Sequence, residues 1–326
     1  MPSHRVRVIK SGPATPSAPV IEKVTAFTTM PKEKAYAYAG LVMAVFFWAA
    51  NTVLARGVVH DVNPMALSFW RWVVAFLVIL PFSIHGLVKD ANEIRNNKFR
   101  LIMLSFLSVT VYNSLLYLAA HYTTAINMSM ASATFPTITI IIAWLIAHEL
   151  PSRSQLAGVA ISAVGMVSLI VQGSLENFYR LKFNHGDLMV VGAVISWSLY
   201  SVYLRQFKIR IAPISFLTMT IALGIIFILP LYVLEILATH TLSINVRIAP
   251  IILFVGIFPS ILSYFWWNNG IAKVGPGISA MFYYLLPLFA AVLAFIFLGE
   301  HIKLFHIFGG TLIFIGLYLA IQTTKH

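Results

Sequence analysis

Ten long apolar stretches, separated by short polar segments, make up most of this chain of 326 residues. They cover roughly residues 36–55, 65–85, 100–120, 124–147, 155–172, 187–206, 213–235, 249–271, 277–298 and 305–322. An apolar helix of about 20 residues spans the hydrocarbon layer of a bilayer. These stretches lack the polar face that a helix on the surface of a water-soluble protein needs. The pattern therefore predicts an all-α integral membrane protein with ten transmembrane helices.

Single residues recur along these helices at fixed distances. Trp48 and Pro64 recur as Trp197 and Pro213, each 149 residues later. Five further residues recur 151 residues later: Pro136, Ala143, Glu149, Gly158 and Gly165 as Pro287, Ala294, Glu300, Gly309 and Gly316. A five-helix unit is therefore present twice, in residues 35–173 (helices 1–5) and in residues 186–322 (helices 6–10). The change of offset places two extra residues between the second and third helix of the second copy.

The number of helices in each unit fixes the relation between the two copies. Because five is odd, the second copy must cross the membrane upside down relative to the first. Inverted repeats of this kind are the architecture of secondary transporters, which place one site between the halves and rock around it. The duplication therefore predicts transport by alternating access.

Composition agrees with the membrane assignment and narrows the chemistry. Hydrophobic residues make up 60% of the chain and charged residues only 10%, with a mean hydropathy of +0.87, which excludes an ordinary soluble domain. The chain has no cysteine, so structural disulfides and thiolate metal sites are excluded.

The net charge of +12 is explained by membrane topology. Residues 1–34 carry five prolines with scattered basic residues and no apolar run, which predicts a disordered basic cytoplasmic tail and not a signal peptide. With the amino terminus inside, 16 of the 22 Lys and Arg residues lie in cytoplasmic segments and five in segments on the other side. This bias predicts that both termini are cytoplasmic. It leaves no reason to invoke nucleic acid as a partner.

Several of the recurring residues resemble a known family in combination. The segment Tyr122–Ser129, followed by Pro136, Glu149, Gly158 and Gly165, resembles the EamA-type repeat of the drug/metabolite transporter superfamily. The second copy continues the resemblance through Gly277–Ala280, Pro287, Gly299, Glu300, Gly309, Gly310 and Gly316. The resemblance implies a ten-helix carrier of small metabolites, such as an amino-acid exporter, in the cytoplasmic (inner) membrane of a bacterium, with no cofactor. The second copy departs from the pattern at residues 274–276, where Val-Gly-Pro replaces Thr-Thr-Ala, so no particular substrate carries over.

Arg71 is the charged residue that lies deepest in a predicted helix, about two turns into helix 2. At the 149-residue offset its counterpart is Thr220, so the charge belongs to one half only. One hypothesis is that Arg71 binds the carboxylate of a substrate. The alternative is that it snorkels outward or pairs with backbone carbonyls.

Polar and aromatic residues in helices 3 and 8 face one another in swapped order. Asn113 and Tyr117 lie four residues apart, as do Tyr264 and Asn268, and the 151-residue offset pairs each amide with a phenol. Trp267 shares the face of Tyr264. We expect these residues to line a central cavity, with hydrogen bonds between helices as the alternative.

Four other helices contribute candidates for the same cavity. Helices 1 and 6 carry Trp48 with Asn51 and Trp197 with Tyr200 at equivalent positions, and helix 9 carries Tyr283. Substrate stacking and core packing are both consistent with these aromatic residues. Pro136 and Pro287 bend helices 4 and 9, which suits a gate as well as simple packing.

The remaining repeated residues favour structural roles. Glu149 and Glu300 precede the amino terminus of the next helix, where a carboxylate favours the helix dipole. The glycines of helices 5 and 10 allow close helix approach or, alternatively, a homodimer. None of the ten acidic residues lies in the middle of a predicted helix, which disfavours carboxylate-based proton coupling and antiport of cationic drugs.

These observations predict a secondary transporter that moves a small polar or zwitterionic metabolite. An intramembrane enzyme is disfavoured, because His148 and Glu149 begin a zinc motif whose second histidine is missing. The alternatives left open are a flippase for lipid-linked substrates and a drug efflux carrier of the same superfamily. The partners expected are the metabolite and the lipid bilayer.

Overall fold

The computed structural model describes residues 31–58, 62–119, 122–123, 125–172, 176, 179, 184–240, 248–298 and 303–322. The regular secondary structure within these ranges is helical, and the long helices lie over the ten predicted stretches. They are α1 Lys32–Val58, α2 Pro64–Lys89, α3 Lys98–Ala119, α4 Ala125–Ser132 with Phe135–Ala147, α5 Arg153–Ile170, α6 His185–Phe207, α7 Pro213–Thr239, α8 Ala249–Val274, α9 Pro276–Leu298 and α10 Leu304–Gln322. A short surface helix, Ala91–Asn96, connects α2 to α3. Residues 1–30 of the predicted tail lie outside the described residues. The prediction extends the tail to residue 34, whereas α1 begins at Lys32.

In the described part of the chain, nine of these ten helices are long and apolar enough to cross a membrane. The fourth is divided, although the apolar pattern predicts one helix over 124–147. Two turn residues, Ala133 and Thr134, separate its two pieces, and the Thr134 hydroxyl donates to Ala131 O at 2.6 Å. The interruption follows from Pro136, which has no N–H for the preceding turn and fits best in the first turn of a new helix.

The two halves pack against each other in a swapped arrangement. Helix α1 packs on α8 and α9 of the other half, and its counterpart α6 packs on α3 and α4. In the same way α2 packs on α8 and α7 on α3, while α2 contacts α7 and α5 contacts α10. Each of these contacts either occurs twice or joins two equivalent helices. Two inverted five-helix repeats therefore enclose one interface.

Helices α3 and α8 both contain a π-helical segment, Phe106–Val111 in α3 and Gly256–Leu262 in α8. The 151-residue offset carries one segment onto the other. A π-helical turn widens the hydrogen-bonding pattern and is frequent at functional sites. Both segments lie where the halves meet.

Glycines bring α5 and α10 together. A Cβ atom added to Gly165 would lie 2.6 Å from the carbonyl oxygen of Gly309, and one on Gly309 would lie 2.7 Å from that of Gly165. Gly158 and Gly316 approach each other just as closely, one helical stretch further along. The glycine faces are therefore occupied by each other within the chain, and they give no support to the homodimer alternative.

The ends of α2 and α7 cap each other. At one face of the membrane the Glu235 carboxylate of α7 accepts from the amides of Met65 and Ala66 at 2.9 and 2.8 Å, in the first turn of α2. At the other face Asp90, which follows α2, accepts from the amide of Ala212 at 2.8 Å, at the start of α7. Amides at a helix start have no partner within the helix, so each carboxylate satisfies them and favours the helix dipole.

Removing the Glu235 carboxylate, by which α7 caps the start of α2, is expected to weaken the contact between the two halves. Glu235→Ala leaves two amides without their acceptor and should lower stability by about 1–2 kcal/mol, while Glu235→Gln, which keeps one acceptor oxygen, should cost less. Thermal unfolding of the purified protein in lipid nanodiscs measures the difference. Glu93→Ala is the matched control, because that carboxylate contacts Asn97 on the surface segment between α2 and α3. Equal losses for Glu235→Ala and Glu93→Ala would contradict the capping role.

Candidate functional site

Arg71 points from α2 towards α3 and is only 5% exposed. Its Nη1 donates to the Tyr117 hydroxyl at 3.1 Å and its Nη2 donates to Asn113 Oδ1 at 3.0 Å. The guanidinium also lies over the ring of Trp72, 4.7 Å from the centroid. No carboxylate in the described part of the chain pairs with Arg71, and its Nε has no hydrogen-bond partner there. Arg71 is therefore buried against neutral side chains, and its described hydrogen bonds go to side chains of α3 and not to backbone carbonyls.

The π-helical segment of α3 fixes the acceptor that Arg71 uses. Asn113 donates from Nδ2 to the carbonyls of Ser108 and Val109 at 3.0 and 2.8 Å, which leaves its Oδ1 free to face the guanidinium. The Tyr264 hydroxyl of α8 donates to the same Ser108 carbonyl at 3.1 Å. The wide turn thus joins α2 and α3 of one half to α8 of the other.

Aromatic side chains from both halves surround Trp48. Its Nε1 donates to the carbonyl of Pro259 at 3.0 Å, within the π-helical segment of α8, so the equivalent carbonyls of Ser108 and Pro259 both accept from the other half. The Trp48 ring lies 5.1 Å from Trp267, 5.7 Å from Trp197 and 6.4 Å from Tyr283, centroid to centroid. These separations are those of ring pairs in contact.

The aromatic cluster continues to a second amide–phenol pair. The Trp197 ring lies 5.1 Å from Tyr264 and 5.0 Å from Tyr200. The Tyr200 hydroxyl then donates to Asn268 Oδ1 at 2.7 Å. This bond joins α6 to α8.

Ten of the eleven predicted substrate-binding residues therefore form one connected network, which we call the central network. Its members are Trp48, Arg71, Asn113, Tyr117, Trp197, Tyr200, Tyr264, Trp267, Asn268 and Tyr283. Asn51, the eleventh, is half-buried on α1 and makes none of the described contacts with this network. The polar members make hydrogen bonds between helices, and a role in substrate binding stays a prediction.

Three further aromatic residues, which were not predicted from the sequence, extend the central network. Trp72 lies between Arg71 and Tyr264, with its ring 5.1 Å from the tyrosine. Tyr112 contacts Trp197 at 4.9 Å, and Phe135 contacts Tyr283 at 5.2 Å and Trp267 at 5.9 Å. The one sequence signal for them is proximity: Trp72 follows Arg71, Tyr112 precedes Asn113, and Phe135 precedes Pro136.

Helices α4 and α9 change their winding just before the two predicted hinge prolines. The break in α4 at Ala133 and Thr134 precedes Pro136, and the tight turn Phe282–Tyr284 in α9 precedes Pro287. Tyr283 lies in that turn. The two irregular segments thus lie beside the central network at equivalent positions of the halves.

The position of Glu149 before α5 predicts that it caps this helix, but in the structure it does not. Ser152 takes that role, accepting from the amide of Gln155 at 3.0 Å, because its side chain lies closer to the first turn of α5. Glu149 instead pairs with Arg205 at the end of α6, with Oε1 and Nε 3.2 Å apart. Its counterpart Glu300 lies outside the described residues.

The Arg205–Glu149 pair lies at the face of the membrane where α1 begins, which we call the amino-terminal face. A second pair, Lys273–Glu33, lies at the same face, with nitrogen and oxygen 2.6 Å apart. Both pairs join one half to the other. In the described part of the chain every carboxylate lies either near an end of one of the ten helices or outside them, and no three His, Asp or Glu side chains are grouped for a metal ion.

Comparison with known proteins gives the same picture for both halves. The model of the EamA-like transporter family matches the chain twice, over residues 35–171 and 184–322. The chain is 28% identical over 277 residues to the uncharacterized transporter YyaM of Bacillus subtilis, covering 84% of this chain and 90% of that one. It is 26% identical over 282 residues to an uncharacterized transporter of Archaeoglobus fulgidus, covering 86% and 95%. A solved crystal structure superimposes with a TM-score of 0.72 at 16% identity, covering 90% of this chain and 97% of the other, which shows a shared fold.

Proposed function

Because this chain belongs to the EamA-like transporter family, we propose that it carries a small polar or zwitterionic metabolite of the amino-acid type out of the cell by alternating access. The chain is a multi-pass membrane transporter and not an enzyme. The membrane in question is the cytoplasmic membrane of a bacterium, with both termini inside, as the distribution of basic residues supports.

The observation that carries this proposal is the environment of Arg71. A guanidinium buried in the membrane region is costly, and it is usually paired with an acid. Here the acceptors are the neutral oxygens of Asn113 and Tyr117, and Nε has no partner in the described part of the chain. The site therefore keeps a positive charge that a carboxylate can neutralise with a bidentate pair. Substrates of the amino-acid type supply that carboxylate.

The aromatic members of the central network suit the rest of such a substrate. Trp48, Trp197, Trp267 and Tyr264 present ring faces and edges with few polar atoms. Trp48 Nε1 and the Tyr264 hydroxyl are bonded within the protein, whereas the indole nitrogens of Trp197 and Trp267 have no partner among the described residues. Rings of this kind bind apolar groups by contact area and ammonium groups by cation–π attraction. A solute with one carboxylate, one ammonium group and an apolar part fits this mixture.

The swapped packing of the halves supports alternating access. The main contacts between the halves either occur twice or join two equivalent helices, an arrangement in which rocking one half opens one face as it closes the other. The interruptions of α4 and α9 just before Pro136 and Pro287 lie at the interface and supply points where these helices can bend. The gate role of the two prolines is part of this proposal.

The positions of the carboxylates indicate how transport is driven. In the described residues none lies in the middle of a helix, where proton-coupled carriers keep an ionisable group. We therefore expect net flux of the substrate along its own gradient. Imposing a pH gradient across proteoliposomes should change the initial rate by less than about twofold, and strong stimulation would refute this part of the proposal.

Uptake into proteoliposomes tests the function itself. The purified chain is reconstituted and a panel of radiolabelled amino acids and related metabolites is offered, with protein-free liposomes and the Arg71→Met variant as controls. Saturable uptake of at least one zwitterionic solute, lost in the variant, is the expected result. Movement of a lipid-linked sugar or a cationic drug alone would instead favour the flippase or the efflux carrier. Absence of flux for every panel member would contradict the proposal.

A further inference from the structure

A cavity lies at the amino-terminal face, between the end of α6, the start of α7 and the end of α8. Its volume is about 470 Å³, which is within the range of small-molecule sites. Two basic residues, Arg205 and Lys208, two amides, Asn268 and Asn269, and two aromatic rings, Phe216 and Phe265, are among its lining residues. None of the lining residues is acidic. The cavity therefore combines positive charge with apolar walls.

The floor of the cavity connects to the central network. Asn268 lines the cavity and accepts the hydrogen bond of the Tyr200 hydroxyl at 2.7 Å. Tyr200 is fully buried and its ring contacts Trp197 at 5.0 Å. One hydrogen bond thus separates the cavity from the aromatic cluster, and a solute held in the cavity is next to the site proposed for transport.

Arg205 shows that a carboxylate fits at the edge of the cavity. Its Nε pairs with Glu149 at 3.2 Å, while its Nη1 donates to the carbonyl of Ile271 at 3.2 Å and fixes the guanidinium. The side chains of the ion pair are 38% and 41% exposed, so water competes with it and the pair contributes little to stability. A solute carboxylate can therefore replace that of Glu149 at small cost.

Lys208 supplies a second positive charge next to the first. It ends α6 in the left-handed conformation, with φ 45°, and none of the described carboxylates pairs with it. A charge without a partner at the edge of a cavity attracts anions and increases their local concentration.

Part of the polar lining of this cavity is specific to the second half, whereas Arg205 has Arg56 as its counterpart at the 149-residue offset. At the equivalent positions of the first half, Lys208 has Val59 as its counterpart and Asn269 has Leu118. Residues needed for the common scaffold recur in both copies, as the glycines do. Asn269 is an amide present in one copy only, so the common scaffold does not require it, and it favours a ligand on this side of the membrane.

We propose that this cavity is the entrance site of the transporter, which binds a small carboxylate-bearing solute with an apolar side group before it reaches the central network. The carboxylate binds Arg205 and Lys208, and the apolar group lies against Phe216 and Phe265. Binding releases Glu149 from Arg205 and so removes one of the links between α4 and α6 at this face, beside the hydrogen bond from Gln206 to the Ile146 carbonyl. The inference rests on the proposed function and makes the substrate class more specific: amino acids with apolar side chains.

The absence of cysteine from the chain allows a direct test of occupancy. Asn269→Cys provides a single thiol inside the cavity, and its rate of labelling by a maleimide is measured in lipid nanodiscs. Phenylalanine and leucine should slow the labelling by about threefold or more at saturating concentration, and their carboxamides should not. Adding Arg205→Gln and Lys208→Gln should remove the protection. Arg95→Cys on the short surface helix is the matched control and should be labelled at the same rate with or without solute.

Three outcomes would overturn the inference. The first is that the carboxamides protect the thiol as well as the amino acids do, and the second is that neither amino acid protects it. The third is that labelling is slowed by phosphatidylglycerol in the nanodisc even without added solute, which would make the cavity a lipid headgroup site. Uptake into proteoliposomes is measured on the same preparations. Flux without protection would reject the entrance site and leave the proposed function intact, whereas protection without flux of any panel member would reject the proposed function alone.

Discussion

Replacing Arg71 by methionine is expected to abolish transport while leaving the protein folded. Methionine keeps much of the length of the side chain but removes the charge and both hydrogen bonds to Asn113 and Tyr117. A hydrogen bond to a charged group contributes about 1.5–3 kcal/mol, so a bidentate pair with a substrate carboxylate contributes about 3–6 kcal/mol. Since 1.4 kcal/mol corresponds to a factor of about ten, uptake should fall by at least about 100-fold.

The stability of this variant is expected to change little, because two effects oppose each other. Asn113 Oδ1 and the Tyr117 hydroxyl lose a donor, which costs about 1–3 kcal/mol for each group that stays buried and unsatisfied. Against this, burying a guanidinium that has no carboxylate partner costs several kcal/mol in the wild-type protein. The variant no longer carries this cost. The thermal unfolding midpoint in nanodiscs measures the balance.

Two further variants separate a binding role from a structural one. Arg71→Lys keeps the charge and loses the planar fork, so uptake should fall by about tenfold and not disappear. Arg95→Ala removes an exposed arginine from the surface segment and should leave uptake unchanged. If Arg71→Met transported at the wild-type rate, or if its uptake fell only in proportion to its loss of folded protein, Arg71 would not be a substrate ligand.

The architecture could be predicted from the sequence because it depends on spacings. Hydropathy alone located all ten helices to within a few residues, and the offsets of 149 and 151 residues predicted which helices are equivalent. The break in α4 was missed, because an apolar run reports burial in the membrane and not the regularity of the backbone. Pro136 was recognised as a bend, but an apolar sequence does not indicate whether a proline bends a helix or starts a new one.

The polar residues of the central network could be predicted from their chemistry, whereas aromatic residues that are placed by packing alone were missed. Asn113, Tyr117, Tyr264 and Asn268 stood out because amides and phenols are rare in apolar helices and lie four residues apart. Tyr112 was missed because it directly precedes Asn113, and in a regular helix adjacent residues point to different faces. The π-helical segment just before Tyr112 changes the direction in which the following side chains point. The composition of that segment does not predict a π-helix.

Glu149 shows the same limit for charged residues. Its place before α5 in the sequence predicted a role at that helix start, but an ion pair depends on which helix ends come together in space. Arg205 lies 56 residues further along the chain, in the other half. Only the swapped packing of α4 against α6 brings the two side chains together.

Adding one methyl group to the glycine face of α5 is expected to destabilise the whole transporter. In Gly165→Ala the new Cβ atom would lie 2.6 Å from the carbonyl oxygen of Gly309, and in Gly309→Ala it would lie 2.7 Å from that of Gly165. These neighbours are backbone atoms of a packed helix, so α5 and α10 must separate. Replacing glycine by alanine within a helix favours the helix by about 1 kcal/mol. Overpacking and the loss of contacts along both helices oppose this with about 3 kcal/mol, so each variant should lose about 2 kcal/mol.

Gly192→Ala on α6 is the matched control, and its effect should have the opposite sign. There the nearest atom to the new Cβ is Leu115 Cδ1 at 3.3 Å, the end of a flexible side chain that can move aside. The favourable helix propensity then prevails, and the unfolding midpoint should stay the same or rise. The three variants are compared by thermal unfolding in nanodiscs, with uptake measured on the folded fraction. If Gly165→Ala were as stable as Gly192→Ala, the close approach of α5 and α10 would not depend on glycine, and the repeat of these residues in both halves would need another explanation.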